Sequence, residues 1–102
     1  MIPPSLHIPH DKLADLCRRY HIRELCIFGS ATRDDFGPQS DVDLLAEFEP
    51  GKPDPFTEYP YLLDELRDIF KHEVDIVHGR ESLINPFRRQ MILPTLERLY
   101  AA

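Results

Sequence analysis

Apolar and polar positions along this chain recur in two periods. From Asp11 onward the apolar side chains fall at Leu13, Leu16, Cys17 and Tyr20, the i, i+3, i+4, i+7 spacing of one helix face. Arg18 and Arg19 lie in its last turn, where cations suit the helix dipole. Leu25 to Phe28 is a continuous apolar run that stops at Gly29, which reads as a strand covered on both faces. Asp41 to Phe48 alternates instead. Val42, Leu44, Ala46 and Phe48 take one side, and Asp41, Asp43 and Leu45 the other, so a second strand has an apolar back and an acidic front. After a proline-rich loop, Tyr59, Leu62, Leu63, Leu66, Ile69 and Phe70 return to helical spacing, with Thr57 as the expected N-cap and Pro60 in the first turn. Glu73 to Val77 reads as a third strand, with Val74 and Ile76 on the face opposite Asp75. Asn85-Pro86 looks like a cap and first position of another helix, with Phe87 and Met91 expected inward and Pro94 ending or kinking it. The segment from Thr95 to Tyr100 fits a helical tail or an edge strand, and the pattern does not decide. Residues 1–9, with three prolines, are expected to be extended.

This order, α-β-β-α-β-α, predicts an α/β (α+β) fold: one small mixed sheet with helices packed against it. A chain of 102 residues is expected to form one domain, 1–102, with little room for a separate substrate domain. A large substrate would have to dock from outside.

The net charge of −6 argues against general affinity for DNA or RNA, which requires many cations to neutralise phosphates. A single nucleotide stays possible, because bound metal can meet its charge. Cys17 and Cys26 sit in apolar patterns and read as buried small hydrophobes of a reducing compartment. The sequence has no apolar run long enough for a membrane span and no basic-then-apolar leader, so the expected location is cytoplasmic.

The chemistry concentrates at three places. Asp41 and Asp43, two apart on a strand, face the same way with Cα atoms about 7 Å apart. Carboxylates held so repel unless a cation lies between them. Mg²⁺ uses one or two carboxylates plus substrate phosphates, and two such ions can clamp an in-line displacement at phosphorus. A third carboxylate is wanted from a neighbouring strand, and Asp75 is the later acid set in a strand-like apolar run. Gly29-Ser30 supplies the other half: glycine lets backbone approach a phosphate, and Ser30 can bind its oxygens. Arg33 is placed to meet a polyphosphate tail. His72 and His78 flank the third strand and read as surface or structural side chains. Arg88-Arg89 reads as a solvated helix face, and the four tyrosines as packing residues with wet hydroxyls.

At Phe28-Gly29-Ser30, Asp41-Val42-Asp43-Leu44-Leu45 and Val74-Asp75-Ile76-Val77, the chain resembles the minimal nucleotidyltransferases (MNT) of the DNA polymerase β superfamily. The resemblance extends over nearly the whole chain, including Arg18 to Ser30 and the Asn85-Pro86 step. It implies the nucleotidyltransferase fold, with Asp41, Asp43 and Asp75 as the catalytic and metal-binding triad. It implies two Mg²⁺ ions, ATP as substrate, and Asp75 as a group that can take the proton of the attacking hydroxyl. Gly29, Ser30, Arg33 and Ser40 would then bind the nucleotide. Small members of the family often act as antitoxins beside a HEPN-domain toxin, some by adding AMP to a tyrosine of that partner. In this chain Arg33-Asp34 stands where many members have Arg-Gly.

Three functions compete on these residues. The leading one is Mg²⁺-dependent AMP transfer to a hydroxyl, of a tyrosine, on a HEPN toxin partner. The second is an antitoxin that neutralises by contact alone. The third is a small-molecule nucleotidyltransferase, whose relatives usually carry an added substrate domain. An Asp-x-Asp glycosyltransferase is disfavoured by chain length and by the Gly-Ser turn.

Overall fold

The computed structural model describes residues 6–29, 37, 39–54 and 56–102. Ser30, Arg33 and Asp34 lie outside the described residues. The elements are α1 (His10–Arg19), β1 (Ile22–Phe28), β2 (Val42–Phe48), α2 (Tyr59–Phe70), β3 (Val74–His78), α3 (Pro86–Ile92) and β4 (Glu97–Ala101). Short 3-10 turns cover Arg80–Ser82 and Leu93–Thr95. Among the described residues the four strands form one sheet in the order β3-β2-β1-β4. β1 pairs antiparallel with β2 and with β4, whereas β2 and β3 are parallel and joined through α2. A parallel pair needs such a crossover, because a tight turn cannot return the chain to the same end of the sheet. None of the described helices is long and apolar enough to cross a membrane.

The strand alternation sorts the core into two layers. Leu25 and Ile27 of β1, Val42, Leu44 and Ala46 of β2, and Val74 and Ile76 of β3 pack against Leu13, Leu16 and Cys17 of α1 and Leu62, Leu66 and Phe70 of α2. The other face gathers Cys26, Phe28, Leu45 and Val77 with Leu83 and Ile92. Each fully buried Leu contributes roughly 1.5–3 kcal/mol of hydrophobic stabilisation. Burial pushes the Cys17 thiol up to about 12 and raises that of Cys26, so both are unreactive apolar fillers.

Four expectations change. Residues 97–101 are an edge strand paired with β1, which resolves the ambiguous tail. Phe87 and Met91 do not point inward: they are 73% and 65% exposed, and the helix buries Ile92 instead. Thr57 is not the N-cap of α2. Asp54 accepts from the Phe56 and Thr57 amides (2.9 and 3.0 Å), while Glu58 accepts from the Asp54 amide (3.1 Å). The bonds from Phe56 and Thr57 order the turn before the helix and hold the Asp54 carboxyl below its ordinary value, while the Asp54 carbonyl accepts from the Glu58 and Tyr59 amides (3.0 and 2.9 Å). Tyr61, 65% exposed, is a surface residue and not a packing one. Asn85, by contrast, caps α3 as expected, accepting from Phe87 and Arg88 amides (2.9 and 3.3 Å) ahead of Pro86.

Candidate active site

The site is assembled by strand register. Phe28 of β1 is the Cα partner of Asp43 on β2, and Asp43 is the partner of Asp75 on β3. Paired residues of neighbouring strands project to the same side of a sheet. Asp43 and Asp75 therefore stand side by side on the face that carries Phe28, Leu45 and Val77. Asp43 is half-buried and Asp75 exposed. Asp41 is exposed and sits one step before β2 begins. The apolar floor beneath the pair lowers the local dielectric and strengthens whatever field the carboxylates create.

Gly29 closes the end of β1 with φ +72°, a left-handed backbone that favours glycine. A Cβ at this position would lie 2.6 Å from Oδ2 of Asp43. Gly29 is thus required twice, for its backbone and for the room it leaves the carboxylate. The glycine of the dipeptide is tied physically to Asp43, fourteen positions on, although Ser30 itself lies outside the described residues.

The entry to β2 is fastened by short bonds. Ser40 Oγ accepts from the Gly37 amide (3.1 Å), and the Ser40 amide donates to the Gly37 carbonyl (3.0 Å). The Val42 amide donates to the Glu73 carbonyl (2.8 Å), and His72 Nδ1 lies 2.9 Å from the Ser40 carbonyl. No local pattern signals the His72 contact, because nothing in the spacing marks a histidine that bonds a carbonyl 32 residues away. His78 stays a structural side chain, stacked among Phe48 and Tyr59 with centroid distances of 5.3 and 4.9 Å.

Among the described residues no three His, Cys, Asp or Glu side chains group closely enough to hold a metal ion by themselves. The donor chemistry nevertheless fits Mg²⁺. Hard carboxylate oxygens are its preferred protein ligands, and it uses few of them because phosphates and water fill the remaining positions. Glycine at position 29 avoids crowding the Asp43 oxygen, which a Cβ would meet at 2.6 Å.

The far end of the same face is built differently. Arg80 Nη1 donates to Glu24 Oε1 (2.7 Å) and Glu47 Oε2 (2.8 Å), and Arg98 donates to Glu24 Oε2 (2.9 Å). A Cβ on Gly79 would meet Glu47 Oε1 at 2.6 Å, so this glycine, at φ +81°, lets the network close. Arg89, expected on a solvated face, donates to the Arg80 and Leu83 carbonyls (2.9 and 3.3 Å) and anchors α3. Arg80 holds the Glu24 carboxyl below its ordinary 4.5. A carboxylate with a depressed folded pKa adds stability that is present above about 4.5 and is lost as pH falls through the folded value. Wild type should therefore melt about 5 °C above Arg80→Gln at pH 7, allowing for solvent screening. Thermal melts from pH 7 downward should show that gap closing as pH falls below the ordinary 4.5 and through the lower folded value.

A groove of about 650 Å³ lies elsewhere, between α1 and α2 on the opposite layer, lined by Asp11, Asp15, Arg19, Asp64 and Glu65 among others. Arg19 pairs there with Asp15 (3.0 Å) and Glu65 (2.8 Å), which makes it a solvated ion-pair surface remote from the paired aspartates.

Comparison with known proteins agrees with this geometry. The nucleotidyltransferase domain family matches residues 11–98, a stretch that contains Gly29, Asp41, Asp43 and Asp75. The chain belongs to this family. It is a nucleotidyltransferase. Two proteins of Methanocaldococcus jannaschii, each named as a candidate protein adenylyltransferase, are similar in sequence. One is 30% identical over 72% of this chain and 73% of its own length, and the other 32% identical over 81% and 80%. A solved structure named as a candidate minimal nucleotidyltransferase superposes with TM-score 0.66 at 28% identity, covering 86% of both chains. A toxin–antitoxin crystallised with AMP-PNP superposes with TM-score 0.68 at 18% identity, covering 93% of this chain and 75% of that one. A complex of a tri-AMPylated Shewanella oneidensis HEPN toxin with its MNT antitoxin superposes with TM-score 0.59 at 18% identity, covering 91% and 70%. At 18% identity these last two show the nucleotidyltransferase fold alone.

Proposed function

We propose that this nucleotidyltransferase moves AMP from ATP, with Mg²⁺, to a tyrosine hydroxyl of a HEPN-domain toxin, and so acts as its antitoxin. The observation that carries the reading is the register of Asp43 with Asp75 beside Gly29. The names of the two archaeal relatives support a protein acceptor, and the MNT–HEPN complex among the structural neighbours supports the kind of partner.

Asp41 and Asp43 would hold the metal, with Asp75 completing the set. Bound Mg²⁺ supplies charge neutralisation at the triphosphate. Gly29 gives the phosphates close access to backbone, and Ser30, Arg33 and Ser40 complete the nucleotide site. Transfer forms a bond from the acceptor oxygen to the α-phosphorus and breaks the bond to pyrophosphate. Asp75 takes the hydroxyl proton, a role suited to an exposed carboxylate at the rim of the site. The partner brings the acceptor, whose hydroxyl can reach the exposed Asp75. Mass spectrometry of a HEPN partner incubated with the chain, ATP and Mg²⁺ should find AMP on a tyrosine. An unmodified partner with folded wild-type chain would contradict the proposal.

A further inference from the structure

We propose that His72 is a positioning residue that locks the backbone of Asp41. The inference rests on the reading of Asp41 as a metal ligand. Asp41 lies between two peptide planes. The first contains the Ser40 carbonyl, 2.9 Å from His72 Nδ1. The second contains the Val42 amide, which donates to the Glu73 carbonyl at 2.8 Å. A peptide unit is rigid and planar, so fixing the plane on each side of a residue fixes its φ and ψ. Only the side-chain torsions of Asp41 then remain to be set. A carbonyl oxygen can only accept, so Nδ1 of His72 carries the proton and donates it.

The two anchors are consecutive residues, His72 and Glu73, at the entry to β3. Asp75 follows two residues after Glu73 on that strand. The latch therefore does more than hold a loop. It ties Asp41, which precedes β2, to the strand that carries Asp75. Asp43 needs no such device, because the β2–β3 register already places it against Asp75. Ser40 is held from its other side by Gly37, so the carbonyl that His72 meets cannot swing away freely.

The ring nitrogen involved makes the idea specific. The Nδ2 of an asparagine occupies nearly the place of histidine Nδ1, and the longer glutamine amide imitates Nε2 instead. His72→Ala should raise hydrogen–deuterium exchange across residues 40–42 about tenfold, the loss of roughly one net hydrogen bond. His72→Asn should restore protection and His72→Gln should not. In the AMP-transfer assay His72→Ala and His72→Gln should raise the Mg²⁺ concentration for half-maximal rate about tenfold, with His72→Asn close to wild type. Wild-type exchange in His72→Ala, or equal behaviour of the Asn and Gln variants, overturns the latch. Faster exchange with an unchanged Mg²⁺ requirement overturns its positioning role. The exchange result does not depend on activity, so a wild type that transfers nothing yet shows the Asn/Gln difference sustains the latch while defeating the proposed function.

Discussion

Asp43→Asn should lower AMP transfer by about a hundredfold or more while leaving the chain folded and no less stable. The rate loss follows from removing charge where it opposes the triphosphate and its metal; loss of a single well-placed electrostatic group costs about 10²–10³ in rate. The stability forecast has the opposite sign and a separate cause. Asp43 and Asp75 are register partners on neighbouring strands, so two like charges face each other across the ladder. Such pairs are destabilising by roughly 0.2–1 kcal/mol. Asparagine keeps the shape and removes one charge. Melting curves without metal should show Asp43→Asn equal to wild type or higher by a few degrees, alongside the collapse of transfer. A variant that loses activity because it unfolds would show the reverse.

Gly29→Ala should be nearly as damaging, for a steric reason. A residue with a Cβ at φ +72° carries a strain of about 1–2 kcal/mol. The added methyl would also stand 2.6 Å from Oδ2 of Asp43, closer than atoms can approach. Asp43 must rotate away, and a displacement of about 1 Å at a reacting centre can cost about a hundredfold. The expected outcome is a fall in transfer of tenfold to about a hundredfold, with a melting temperature lower by roughly 5–10 °C. Pairing Gly29→Ala with Asp43→Asn gives the sharper check: in a double-mutant cycle the two losses should fall well short of additive, because both act through one carboxylate. Full additivity in transfer rate would separate the glycine from the aspartate.

The two faces of the sheet were legible from the chain because a strand allows only a period of two. Once Val42, Leu44 and Ala46 are assigned to the core, Asp43 must lie opposite them, and Val74 and Ile76 place Asp75 by the same rule. Register was not legible. Whether Asp75 meets Asp43 or a neighbour depends on the crossover through α2, a tertiary outcome that alternation cannot encode. Helix faces failed where the helix was shortest. Phe87 and Met91 share a face, but periodicity does not say whether that face meets sheet or water, and Ile92, one residue on, won the core. Thr57 failed as a cap because the carbonyl of Asp54, three residues earlier, already accepts from the Glu58 and Tyr59 amides. Cross-strand polar contacts such as Arg80 with Glu24, or His72 with Ser40, join residues far apart in sequence and leave no local trace.

Binding of a non-hydrolysable ATP analogue, titrated calorimetrically into the chain with Mg²⁺ and again with chelator, tests the central claim most directly. The account predicts binding by wild type that requires Mg²⁺, loss of that binding in Asp43→Asn, and its retention in Asp75→Asn despite lost transfer. Equal affinity in wild type and Asp43→Asn, or binding indifferent to Mg²⁺, would contradict it.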